Sequence, residues 1–442
     1  MSKRDNMLTL NAFNPLSEGG LGTADSALIA RRRNTFGDAV PLFYEEPLHL
    51  VRGEGVWLYD DAGRPYLDAY NNVPSVGHCN ARVVEAIARQ ASTLNTHTRY
   101  LSDVVTRYAE RLLKTFPSSL SNVLFTNTGT ESVDLAMRIA RYHTGGTGFI
   151  VTNFAYHGHS TAVAEITPAF GSGVPIGANV RTVPAPDRFL PGPEVGPAFA
   201  QGVADAIADL ERHGIRFAGL VLDSICSSDG LYVDPPGFLQ PVLDVVRQAG
   251  GVYIADEVQP GFGRMGNGLW GFARHDIEPD IVVLGKPMGN GMPIAATILR
   301  PEILAAFALR SGYFNTFGGN TVCCAAASAV LDVIEDERLI ENAAVTGAKL
   351  KQGFVDLMRA HPSIGDVRGA GLYVGVEFVD PETGEPDTRE ALRIVNGLRR
   401  ARILISTSGP AGNVLKIRPP LPFGRDHVDM LIDATAALLA KR

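Results

Sequence analysis

Residues 252–292 read VYIADEVQPGFGRMGNGLWGFARHDIEPDIVVLGKPMGNGM, and the fold depends on how this stretch is parsed. Two short apolar runs rich in β-branched residues, 252–255 and 281–284, predict buried strands. Each run leads into charge: Asp256 with Glu257 after the first, Lys286 after the second. Buried parallel strands of an α/β sheet gather ligands at their carboxyl ends, so the pattern predicts Asp256 and Lys286 in one crevice. Taken singly, the two residues read equally well as a helix cap and a surface amine. Their pairing favours a ligand held from both sides.

A lysine set among apolar residues and glycines becomes a better nucleophile once desolvated, and it forms a Schiff base with an aldehyde. Pyridoxal phosphate needs such an amine, together with a carboxylate that keeps its pyridine nitrogen protonated. Between the two runs, GFGRMG at 261–266 matches GxGxxG. A dinucleotide loop is rejected, because no helical pattern follows and no acidic residue closes a second strand about 20 residues on.

With 442 residues, 45% of them hydrophobic, the chain is long enough for two or three packed units and cannot be mainly disordered. The net charge of −7 is spread along the chain, which disfavours a nucleic-acid surface, and Arg31–Arg33 reads as a solvated face. Lys3, Arg4 and Asp5 precede no apolar signal core, and no stretch approaches the roughly 18 apolar residues of a membrane span. The expectation is a cytoplasmic protein. Cys79, Cys226, Cys323 and Cys324 show no CxxC spacing, so reduced core thiols are expected, with no disulfide framework and no zinc site.

Residues 1–40, with a glycine-rich break at 19–22, read as an arm. Short alternating pieces over 48–70 predict a small antiparallel sheet, and 71–78 (NNVPSVGH) a loop lining a site. Helical spacing covers 83–93 and 102–115. At 123–126 a strand opens into Asn127-Thr128-Gly129-Thr130-Glu131 and a helix whose apolar face is Val133, Ala136, Met137 and Ala140. Strand, glycine turn and helix start make an anion cup, with the hydroxyls of Thr128 and Thr130 beside backbone N–H groups; a plain N-cap has the same look. After a strand at 149–151, Tyr156 is placed to stack on a flat ring. His157 and His159 invite a metal reading but lack a third ligand, and both also read as hydrogen-bonded loop residues.

The proline- and glycine-rich stretch 184–203 is expected to wrap the surface, and 217–222 to form a strand ending at Asp223. Helices are expected at 302–309, 322–340, 348–358 and 389–401, and strands at 371–379, 404–406 and 414–417, before a last helix. The break at 314–320 (FNTFGGN) reads as a second phosphate-friendly loop. The expected organisation is an α/β protein in three parts: an arm with part of a small domain over 1–75, a large cofactor-binding domain over 76–335, and a small α+β domain over 336–442.

FTNTGTES, AYHGHS, IADEVQPGFGR, LGKPMGNGMP, NTFGGN and LKIRPPL, in this order, resemble the class-III aminotransferases of fold type I. The resemblance runs from about residue 47 onward. It implies a large domain with a mainly parallel sheet flanked by helices, plus a smaller α+β domain from both termini. It also implies Lys286 as the Schiff-base lysine, Asp256 as partner of the pyridine nitrogen, Gln259 near the ring hydroxyl and Tyr156 stacked on the ring. Gly129 and Thr130 would bind the cofactor phosphate, with Thr316 reaching it from the neighbouring subunit of a homodimer.

Within the family, YLDAYNNVPSVGHCN, LNTHTRYL, YFNTFGGN and GPAGNVLKIRPP resemble the phospho-lyases of ethanolamine phosphate and phosphohydroxylysine. Where transaminases of the family commonly carry a motif like EPIQGE, this chain has Asp223-Ser224-Ile225-Cys226-Ser227-Ser228, with Ser228 in place of the gate glutamate. Arg418, carried over as the carboxylate-binding arginine, then lacks that partner and suits a substrate that is always anionic. Asn71, Asn72 and Arg99 are further candidates for the substrate-phosphate pocket. The expected activity is elimination of phosphate from a small phosphorylated amine. The alternatives are an omega-transaminase acting with a 2-keto acid, and a catalytically silent binding protein, against which the Lys286–Asp256 pair argues.

Overall fold

The computed structural model describes residues 6–14, 23–186 and 189–441; the glycine-rich break at 19–22 lies outside them. The decisive stretch forms the strands Val252–Asp256 and Ile281–Leu284, hydrogen-bonded to each other in parallel, with Phe217–Asp223 on the far side of the first. These are the middle of a seven-stranded sheet, in the order Asn122–Thr126, Ala295–Leu299, Ile281–Leu284, Val252–Asp256, Phe217–Asp223, Gly148–Thr152, Val180–Val183. Ala295–Leu299 runs antiparallel to its neighbours, and the other pairings are parallel.

The continuous apolar strands serve two cores at once, because successive side chains point to opposite faces. Leu220, Tyr253, Val282 and Leu284 share one apolar core with residues of the helices Gly192–Arg212 and Gln240–Gln248, while Val221, Ile254, Ile281 and Val283 share another with residues of Gly129–Thr144 and Pro301–Arg310. Covered on both sides, the sheet leaves its carboxyl edge as the open place for a ligand.

Two four-stranded sheets accompany it among the described residues. The antiparallel strands Leu50–Glu54, Trp57–Asp60 and Pro65–Asp68 are joined in parallel by Ile403–Leu404 from the other end of the chain. Ile364–Ala370, Tyr373–Phe378, Val414–Ile417 and Ser406–Ser408 form the second, with the helices Leu339–Ala360, Thr388–Arg400 and Arg425–Leu439 around it.

Several local expectations need correction. The stretch expected to wrap the surface is largely the helix Gly192–Arg212; Pro193 sits in its first turn, where a missing N–H costs least, Pro197 lies inside the helix, and Val195, Phe199, Val203, Ile207 and Leu210 form its buried face. The helix expected over 322–340 ends at Asp336. Arg338 turns the chain with a left-handed φ of 52°, and a single helix, Leu339–Ala360, replaces the shorter one expected at 348–358. The strand Ile364–Ala370 was hidden by its polar and glycine residues. Of the four cysteines, all free, Cys79 is exposed rather than in the core. No described helix is long and apolar enough to cross a membrane.

Candidate active site

Parallel register puts Asp223 beside Asp256, and Asp256 beside Val283, three residues before Lys286. Three charged groups thus meet at one sheet edge and line a single cleft with Gly129, Thr130, Tyr156 and Gln259. The turn carrying Lys286 is held from outside: Ser75 Oγ donates to the Pro287 carbonyl (2.9 Å), and the Asn290 amide bridges Val76 N–H and the Gly77 carbonyl. Gly285 faces Gly129 so closely that a Cβ would sit 3.3 Å from the Gly129 Cα.

Asp256 is buried, with Oδ1 accepting from Val258 N–H (3.0 Å) and Oδ2 2.7 Å from His157 Nδ1. His157 therefore serves the aspartate, and among the described residues no metal cluster includes it or His159. The sequence reading missed this role, although His157 adjoins Tyr156. Lys286 has no hydrogen-bond or ion-pair partner among the described residues. Burial, reinforced by the Arg418 guanidinium and opposed by Asp256 and Asp223, lowers its amine to about 8. Burial and the neighbouring Asp256 raise the Asp223 carboxyl.

The cup differs in detail from expectation. Thr128 Oγ1 accepts from Glu131 N–H (3.2 Å) as the cap of the helix Gly129–Thr144, and Thr130 Oγ1 accepts from His159 and Ser160 N–H (3.1 and 3.2 Å), so both hydroxyls are engaged. The backbone N–H groups of Gly129 and Thr130 have no partner among the described residues, as first-turn donors awaiting an anion would. Gly158, at φ +148°, lets the opposite loop close over Thr130, where a Cβ would come within 2.3 Å of Oγ1. A partnerless amine, a carboxylate held by a histidine, a half-buried aromatic wall and a free N-terminal cup fit the amine-, ring- and phosphate-binding needs of pyridoxal phosphate.

Next to the cleft, Arg418 is buried and donates from Nη1 to the amide oxygens of Asn72 and Gln259 (2.7 Å each), with its guanidinium over the Tyr70 ring. No carboxylate pairs with it among the described residues. Tyr373 Oη donates to Gln259 Oε1 (3.1 Å), and Gln259 Nε2 to Ser227 Oγ (2.9 Å). Asn71 instead hydrogen-bonds Asp68 (3.1 Å). Arg99 is exposed, stacked on Phe314 at 3.9 Å, and with exposed Thr316 it lies outside the cleft lining of this chain. The GFGRMG segment supplies a buried arginine rather than a nucleotide loop: Arg264 Nη1 donates to the carbonyls of Leu372 (3.0 Å) and Pro419 (2.6 Å), fixing the chain next to Arg418.

The family model described as Aminotransferase class-III matches residues 43–439. The chain is 41% identical over 417 residues to alanine–glyoxylate aminotransferase 2-like of Drosophila melanogaster, covering 91% of this chain and 84% of that protein. It is 38% identical over 423 residues to ethanolamine-phosphate phospho-lyase homolog 1 of Caenorhabditis elegans, covering 91% and 90%. Among solved structures, a phospholyase from Arthrobacter in complex with phosphoethanolamine superposes with a TM-score of 0.91 at 42% identity, covering 94% of this chain and 100% of that one. A Bacillus anthracis aminotransferase gives 0.85 at 26% identity, covering 96% and 100%. The chain belongs to the class-III aminotransferase family, with the fold-type I architecture and pyridoxal 5′-phosphate as its cofactor.

Proposed function

We propose that this chain is a phospho-lyase that eliminates phosphate from a small phosphorylated amine such as O-phosphoethanolamine, giving aldehyde, ammonia and phosphate with uptake of one water. The observation that carries the reading is Arg418: a buried guanidinium held by two neutral amides, with Ser228 at the position of the family's gate carboxylate. A guanidinium with no competing carboxylate is permanently available to an oxyanion. The phospholyase with bound phosphoethanolamine and the phospho-lyase homolog support the same reading.

The cofactor, when bound, supplies an electron sink for the carbon attached to the substrate nitrogen. Asp256, fixed by His157, would hold the proton on the ring nitrogen. The N–H groups of Gly129 and Thr130 would hold the cofactor phosphate, and Tyr156, on the same cleft, would pack on the ring. Lys286 Nζ would hold the cofactor, and as a free amine it is the base that takes the proton from the substrate carbon beside nitrogen, with phosphate leaving from the adjacent carbon. Arg418, positioned by Asn72 and Gln259, receives the phosphate. Thr316 and Arg99, on one exposed surface with Phe314, serve the cleft of a second copy in a homodimer.

Amino transfer to a 2-keto acid is the second reading, favoured by the relatives named alanine–glyoxylate aminotransferase. The two separate in one assay: cofactor-loaded protein is given phosphoethanolamine without keto acid, and phosphate and ammonia are measured. Equal release of both supports elimination. Release only when keto acid is added, or none, overturns it.

A further inference from the structure

Lys416 lies on the strand Val414–Ile417, only 6% exposed. Its ammonium makes no hydrogen bond or ion pair among the described residues; the Tyr373 ring, 6.0 Å away, is the contact that faces it. The charges acting on it are two cations, Arg418 and Lys286, and one acid, Asp223. That acid is already committed: its carboxylate accepts from Ile225 N–H, Ser227 N–H (3.1 Å each) and Ser227 Oγ. Positions 416 and 418 share parity along an extended chain, so both side chains leave the same side.

An amine buried beside two other cations is costly to keep charged, and burial, reinforced by Arg418 and Lys286, pushes its proton affinity well down. An arriving anion removes that cost. The cofactor phosphate is provided for at Gly129 and Thr130, so the anion still unmatched is the substrate's. A single carboxylate would be satisfied by Arg418 alone. A phosphate monoester carries close to two negative charges and three strong acceptor oxygens, and it matches two cations.

We propose that Lys416 is a substrate-binding residue which, with Arg418, receives the phosphate group of the phosphorylated amine and selects it over a carboxylate. The inference rests on the lyase reading and names the second half of its anion site.

The test uses two probes of equal length that carry the same amine, 3-aminopropylphosphonate and 4-aminobutyrate, neither of which has a phosphate leaving group. Binding to the cofactor-loaded protein is followed through the cofactor's absorbance. The wild type is expected to bind the phosphonate more tightly. Lys416→Met should weaken the phosphonate by roughly ten- to hundredfold and leave the carboxylate nearly unchanged, and Lys416→Arg should recover most of the loss. Equal affinity of the wild type for the two probes overturns the proposal without any variant. So does a Lys416→Met protein that keeps wild-type phosphonate binding, or one that loses both probes alike. Failure of the lyase reading shows separately, as absence of phosphate release from phosphoethanolamine by the wild type.

Discussion

Replacing His157 by leucine removes the 2.7 Å hydrogen bond on Asp256 Oδ2 and leaves the carboxylate with Val258 N–H on its other oxygen. Both groups are buried, so no water takes the histidine's place without rearrangement. A hydrogen bond to a charged group contributes about 1.5–3 kcal/mol, and that loss at the carboxylate proposed to keep the ring nitrogen protonated translates to roughly 10- to 150-fold in turnover. His157→Asn places an amide donor near the lost Nδ1 and should recover part of it. The assay is the rate of phosphate release at saturating cofactor, alongside the cofactor's dissociation constant by absorbance titration and a melting curve to confirm folding. A folded His157→Leu enzyme with wild-type turnover and cofactor affinity would refute the positioning role.

Two further predictions concern protonation. Because only a neutral amine attacks an aldehyde, the rate at which cofactor-free protein takes up pyridoxal phosphate should rise with pH through about 8, the value to which burial and Arg418 lower Lys286, and Arg418→Met should move that limb upward; a limb at the ordinary lysine value would contradict it. Burial raises Glu257 from 4.5 to about 7 against hydrogen bonds from Ser224 Oγ and the N–H groups of Gly271 and Phe272. The folded state therefore binds this proton more tightly than the unfolded chain, so the contribution is whole below pH 4.5 and is lost as pH rises to about 7. The loss is of the order of 3 kcal/mol, and Glu257→Gln should flatten that part of the urea-stability profile; an unchanged slope would refute it. His275, lowered to about 4 by burial, acts in the opposite sense, losing stability as pH falls from 6.5 to about 4, so the comparison is the difference between variant and wild type.

The central sheet was legible because buried parallel strands must be apolar on both faces, and runs such as IVVL at 281–284 have little else they can become. The same logic placed Asp256 and Lys286 at one edge. What escaped was local competition. The prolines and glycines of 184–203 suggest a segment that wraps the surface, although Val195, Phe199, Val203 and Ile207 keep helical spacing throughout. The strand Ile364–Ala370 carries Gly365, Asp366, Arg368 and Gly369 and announces itself only through its partner, Tyr373–Phe378. In the cleft, sequence names the residue types but not who bonds whom. His157 reads equally as metal ligand or loop residue until Asp256 is seen beside it, and the hydroxyls of Thr128 and Thr130 look free until the capping box and the Gly158 turn claim them. Lys416 looks like an ordinary strand lysine until its burial is seen, with no ion-pair partner for its amine among the described residues.

The most direct test of the site is borohydride reduction of the cofactor-loaded protein followed by peptide mapping. The geometry predicts the pyridoxyl label on Lys286, with none on Lys416, a buried lysine whose charge acts with that of Lys286. A label on Lys416 or any other lysine, or a Lys286→Arg enzyme that still turns over normally, would contradict it.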